Sequence, residues 1–214
     1  MEWFLCKHKT SYNPANNQEG LVHPLVKLVI QSVEHFIETG KPLPCPDPLL
    51  VNLKQNAGTF VSIRNQDSLR GCVGTMTPKY KKLAEEVIRN AIRAAKKDPR
   101  FDPIEKWELP FLTFSIDVLT PPKKISDLKE HNVKQFGLIV RGKGKRGVLL
   151  PDFENIKPAN QQLKVCLKKG GFEDNDTYEL FSFEVKRFKW TPPLLATKRT
   201  IDFALLFSYS LTKP

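Results

Sequence analysis

GTFVSIRNQDSLRGCVGTM, residues 58–76, is two strand-like runs around a polar turn. Gly58–Arg64 is rich in β-branched and aromatic residues, Asn65–Ser68 supplies turn chemistry, and Leu69–Thr75 resumes the strand, so the stretch predicts a β-hairpin. On its C-terminal side Thr77-Pro78 opens a helix expected to run to about Lys97. Leu83, Val87, Ala91 and Ala95 form the core face of that helix, with Ile88 and Ile92 beside them, and Pro99 prevents its continuation. On its N-terminal side Leu25, Leu28, Val29, Val33, Phe36 and Ile37 recur at three- and four-residue spacing. They predict a helix that starts at Pro24 and stops at Gly40.

Further along, Leu112, Phe114, Ile116 and Val118 alternate with Thr113, Ser115 and Asp117, the pattern of a half-buried strand over 111–120. Short apolar runs at 137–141 and 146–150 flank Gly142–Lys145 and predict a second hairpin. A helix over 159–169 ends at Gly170-Gly171, and Phe181, Phe183 and Val185 share a parity in a last strand over 178–188. Helices interleaved with hairpins predict an α+β fold with a mixed, mostly antiparallel sheet and flanking helices. Residues 1–21 show no periodicity and read as a flexible lead-in, 22–188 as the folded domain, and 189–214 as a C-terminal extension that either docks in an apolar groove or stays outside the fold.

Of the 214 residues 40% are hydrophobic, enough for a packed core and against global disorder. No apolar run approaches the roughly 18–20 residues of a membrane span. The start, MEWFLCKHKT, lacks the order of a secretory signal. Cys6, Cys45, Cys72 and Cys166 form no C-x-x-C pair and no zinc spacing with histidine, which points to a reducing, cytoplasmic setting, or a nuclear one in a eukaryote, although pairing in space stays open.

Within the first hairpin, Leu69-Arg70-Gly71-Cys72-Val73-Gly74-Thr75 is unusual, since glycine weakens a strand. Gly71 and Gly74 leave the surroundings of Cys72 bare, which either admits a ligand to the thiol or admits the following helix. Arg70 shares the parity of Cys72, and a guanidinium beside a thiol favours its ionised form. Cys72 is thus the candidate nucleophile, expected to be the most reactive of the four thiols. Arg70, Gly71, Gly74, Asn90 and Arg100 are the candidate substrate-binding residues. Cys72 as a small buried hydrophobe is the competing reading. In Asp98-Pro99-Arg100-Phe101 the structural role is favoured, with Asp98 and Arg100 as a local ion pair and Phe101 in the core; the alternative aims Arg100 at an anion. No histidine is placed by a motif, and no zinc-protease, nucleophile-elbow, P-loop or dinucleotide signature is present.

The formal net charge is +11. Cations crowd residues 79–100, and Lys134, Arg141, Lys143, Lys145 and Arg146 crowd 134–146 with no acid between them. A solvated surface explains both stretches, and a nucleic-acid contact through phosphates is the sharper alternative.

The blocks GTFVSIRNQDSLRGCVGTM, LAEEVIRNAIRAAKKDPRFDPI, ELPFLTFSIDVLTPP, GLIVRGKGKRGVLLPDFENI and ELFSFEVKRF, in this order, resemble the AmmeMemoRadiSam system protein A family, named after the AMME-syndrome candidate region. The resemblance covers about residues 24–188 and is closer to the bacterial and archaeal branch than to the animal one. It implies two closely associated subdomains and an association with a Memo-like protein and a radical-SAM protein. It supplies no reaction and no cofactor. The leading expectation is a pocket around the LRGC motif serving a modification pathway with those partners. The alternative is a non-catalytic adaptor or nucleic-acid-binding module using its basic surface.

Overall fold

The computed structural model describes residues 22–46, 57–153 and 155–192. The lead-in 1–21 and the tail from 193 onward, with the expectations placed on them, lie outside the described residues.

Helix α1, Pro24–Thr39, begins where proline fits a first turn. Its N-terminus is capped by His23, whose Nδ1 accepts from the Leu25 amide at 3.3 Å, and Gly40 ends it in the left-handed conformation at φ 69°. Strands β1, Thr59–Asn65, and β2, Ser68–Thr75, make the expected hairpin. Helix α2 is Leu83–Lys96 and starts six residues later than Thr77. The carboxylate of Glu86 accepts from the amides of Lys79 at 2.7 Å and Tyr80 at 3.0 Å, which holds that stretch in a bent loop. A short 3-10 helix, Lys106–Phe111, leads into β3, Leu112–Leu119, followed by a three-residue β4, Lys123–Ile125. The second hairpin is β5, Phe136–Gly142, with β6, Lys145–Leu149. Helix α3, Ala159–Gly170, precedes β7, Glu179–Trp190, which runs past the expected end at 188.

The seven strands form one sheet in the order β2-β1-β3-β7-β5-β6, with β4 beside β7. Every pairing is antiparallel. Strand β7 pairs β3 through Val185–Trp190 and pairs β4 and β5 through its first half, so it joins two subdomains.

The helix pair α1–α2 covers one face of the β2-β1-β3 half, where Val29, Val33, Val87, Ala91, Ile63 and Ile116 are fully buried. Helix α3 covers β5 and β6, with Leu138, Val140, Leu149 and Cys166 beneath it. Phe60, Met76, Leu119, Ile139, Leu150 and Phe183 form a third cluster drawn from both halves. Fully burying a side chain of this size contributes about 1.5–3 kcal/mol, so this cluster adds to the joint that β7 makes between the halves.

Candidate functional site

Strand β2 is the end of the sheet, and its residues divide between two faces. Val73 packs in the cluster under α1 and α2. Thr75 bonds side chains of α2: its hydroxyl meets the Glu86 carboxylate, and it accepts from Asn90 Nδ2 at 3.2 Å. A Cβ on Gly71 would run into the carbonyl oxygen of Ala94, so this glycine lets α2 lie close on the strand. Arg70, Cys72 and Gly74 belong to the opposite face. A Cβ on Gly74 would strike the Phe60 ring. Both glycines of the motif are therefore filled by the protein itself, one by helix backbone and one by an aromatic ring.

Asn90 is 1% exposed. Its Nδ2 donates to the Thr59 carbonyl at 3.2 Å and the Thr59 hydroxyl at 2.9 Å as well as to Thr75, so it ties α2 to the paired ends of β1 and β2. Glu86, fully buried on the same helix, joins this polar group; among surface charges in the sequence nothing set it apart.

The outer edge of β2 carries main-chain groups that have no neighbouring strand to bond. At Cys72 the DPRF turn takes the place of that strand. The Asp98 carboxylate accepts from the Cys72 amide at 2.9 Å, and Arg100 Nη2 donates to the Cys72 carbonyl at 3.2 Å. The two side chains are themselves paired, with Nη2 to Oδ2 at 2.6 Å and Nε to Oδ1 at 2.9 Å. Burial pushes the Asp98 carboxyl up, but the bonds from Arg100 and from the Cys72 amide outweigh it and hold it below the usual value. The expected Asp98–Arg100 ion pair is present, and it is also the clamp on the strand edge.

Arg70 lies one step along the same edge. Its Nε and Nη2 grip Glu108 at 2.7 and 2.8 Å, and its remaining bonds go to the carbonyls of Asp102 and Pro103. Glu108 is set for this by the 3-10 helix, where it also accepts from the Glu105 amide at 2.9 Å. Burial raises its carboxyl, but the bonds from Arg70 and the Glu105 amide lower it by more, leaving it below the ordinary range. The donors of Arg70 thus go to Glu108 and the loop rather than to the thiol of Cys72.

Cys72 itself is 7% exposed and disulfide-bonded. Its Sγ accepts from Ser62 Oγ on β1 at 3.3 Å. Cys45 and Cys166 are free thiols, the first exposed and the second buried. Beside the clamp lies a cleft of about 410 Å3 lined by Arg70, Pro99, Arg100, Phe101 and Asp102. Arg100 stacks over Phe101 at 5.2 Å, and its Nη1 makes no hydrogen bond among the described residues. The site residues expected from sequence are therefore all at or near β2, and of them Arg70 and Arg100 line the cleft. Among the described residues no group of three His, Cys, Asp or Glu side chains could hold a metal ion, and no helix is long and apolar enough to cross a membrane.

An antiparallel sheet shared by two subdomains, with helices flanking it, makes an α+β domain. The chain belongs to the AMMECR1 family, whose model matches residues 26–191. It is 38% identical over 170 residues to a protein of Thermotoga maritima, covering 78% of this chain and 98% of that one. It is 37% identical over 168 residues to a Clostridium acetobutylicum protein, of which the match spans 36%. The crystal structure of uncharacterized protein PH0010 from Pyrococcus horikoshii is similar, with a TM-score of 0.65 at 29% identity over 78% of this chain and 91% of that chain.

Proposed function

We propose that this AMMECR1-family chain is a binding component of an AmmeMemoRadiSam-type modification pathway, acting with a Memo-like and a radical-SAM protein, and that its contact point is the cleft on the outer edge of β2. The observation that supports this is the lining of the cleft: two guanidiniums, an aromatic ring and one exposed carboxylate, with no thiol, hydroxyl or imidazole. Such a lining can hold an acidic group of a partner through the N–H groups of Arg100 Nη1, a charge-assisted donor to carboxylate or phosphate. The partners themselves rest on the family resemblance.

The experiment is co-purification with a Memo-like and a radical-SAM protein. Both should be retained by the wild type and by Cys72→Ala, and both should be weakened by Arg100→Gln, with melting temperatures measured in parallel. Failure to retain either partner would overturn the pathway reading. Loss of retention in Cys72→Ala at an unchanged melting temperature would overturn the role given to the cleft.

A second reading rests on Ser62. A hydroxyl donating to sulfur favours a thiolate, so reduction of the Cys72 disulfide would uncover a nucleophile next to a positioned donor. With reductant present, limiting iodoacetamide should then label Cys72 down to lower pH in the wild type than in Ser62→Ala. Equal profiles would remove this reading.

A further inference from the structure

The second basic stretch lies far from β2 and holds the larger cavity, about 580 Å3, within the range of small-molecule sites. We propose that it binds a phosphomonoester carrying a flat aromatic ring, a ligand of the nucleoside monophosphate kind.

The cavity is lined by Arg141, Lys143, Lys145 and Arg146 from the β5–β6 hairpin and by Thr177, Tyr178 and Glu179 at the start of β7. The hairpin turns through two residues, since Gly142 pairs with Lys145, and Lys143 and Gly144 both take positive φ, 47° and 76°. This tight turn brings the cations of both strands to one end. Arg141 stands opposite Arg146 across the hairpin and opposite Glu179 across to β7. Asp176 draws the two lysines together, with Lys145 Nζ at 2.6 Å and Lys143 Nζ at 3.7 Å.

Among the described residues Asp176 holds Lys143 and Lys145, and Glu179 is held by Lys124. A phosphomonoester brings a charge of about −1.5 to −2 at neutral pH, which a cationic lining of this kind attracts. Point-charge ammoniums and planar guanidiniums on one wall are the donors that recognise phosphate.

The second half of the ligand is read from Tyr178. It is 40% exposed in a fold that exposes few large apolar side chains. Phe172 meets it edge-on, with centroids 6.0 Å apart and planes at 78°, so the ring is oriented rather than loose. An oriented, solvent-facing ring beside a cationic wall offers a stacking platform for a base.

Titration calorimetry on the full chain tests this with AMP, adenosine, inorganic phosphate and an oligouridylate. AMP should bind, and adenosine and phosphate should each bind at least about tenfold more weakly. Tyr178→Ala should weaken AMP about tenfold, by the stacking it removes, and leave phosphate unchanged. Tyr178→Phe should restore AMP, and Arg141→Gln should weaken both AMP and phosphate. No heat with AMP, phosphate binding as tightly as AMP, or AMP indifferent to Tyr178→Ala would each overturn the proposal. An oligouridylate that binds in proportion to its length with a steep salt dependence would replace it with a nucleic-acid surface. Wild-type melting temperatures in the Tyr178 variants separate loss of ligand from loss of fold.

Discussion

Asp98→Asn tests the clamp at the edge of β2. The carboxylate is 3% exposed and accepts from the Cys72 amide and from three donors of Arg100, its own-turn amide included. An amide keeps the shape, but its NH2 must face donors on either side: the Cys72 amide and Arg100 Nη2, or the amide and Nε of Arg100. Charge-assisted hydrogen bonds are worth about 1.5–3 kcal/mol each, and removing one partner of a buried pair costs about 3–5 kcal/mol. Arg100 has a side chain 32% exposed, so water returns part of its loss, and the lower end, about 3 kcal/mol, is expected. In a chain of this size that is a fall in Tm of about 6–12 °C. Urea denaturation should show a lower midpoint at unchanged slope, because the folded surface is the same. Hydrogen exchange should speed up at the Cys72 amide more than at neighbouring β2 amides. The bonds to Asp98 depress its folded pKa, so its contribution is complete at neutral pH and fades as pH falls from the unfolded value of about 3.9 through the lower folded value. The variant should lose this acid limb. A loss below about 1 kcal/mol, or unchanged exchange at Cys72, would show that the edge is held by something else.

Gly71→Ala should destabilise by about 1–3 kcal/mol, read from the urea midpoint, because its methyl meets Ala94 backbone rather than a movable side chain. His131 is driven down by burial against a smaller opposing effect of the bond to Gln162, so the unfolded chain takes up its proton first. Stability should therefore be full above about pH 6.5 and fall as pH drops below it, and His131→Gln should flatten that slope. Cys166 is pushed by burial to a pKa of about 12, only partly offset by Lys169. Iodoacetamide on the folded protein, followed by mass spectrometry, should modify exposed Cys45 and leave Cys166 unmodified until denaturant is added.

The periodic elements were legible because burial imposes their period. Leu83, Val87, Ala91 and Ala95 are buried as their spacing requires, and the hairpins turn where turn residues stand. The start of α2 was not, because a distant carboxylate on the helix holds Lys79 and Tyr80 in a loop. The site was legible as a place, and only tertiary contacts decide between the alternatives its residues left open. Two glycines beside a cysteine show that something approaches closely, but spacing does not say whether it is a ligand or Ala94 and Phe60. The parity that set Arg70 beside Cys72 holds, yet Glu108, 38 residues away in sequence, takes the guanidinium. Nothing in the sequence marks Glu86 or Glu108, since only tertiary packing buries them.

The shared strand has a consequence for how the chain is made. Strand β7 is the bonding partner of β3, β4 and β5, yet it comes after all of them in sequence. During synthesis β5 keeps one side unpaired until residues 179–184 have left the ribosome, and β3 until residues 185–190 have. Exposed strand edges are the surfaces on which nascent chains join one another. The interval between the emergence of β3 and that of β7 is thus the period in which the most strand edge stands open, and it ends only when the last strand arrives.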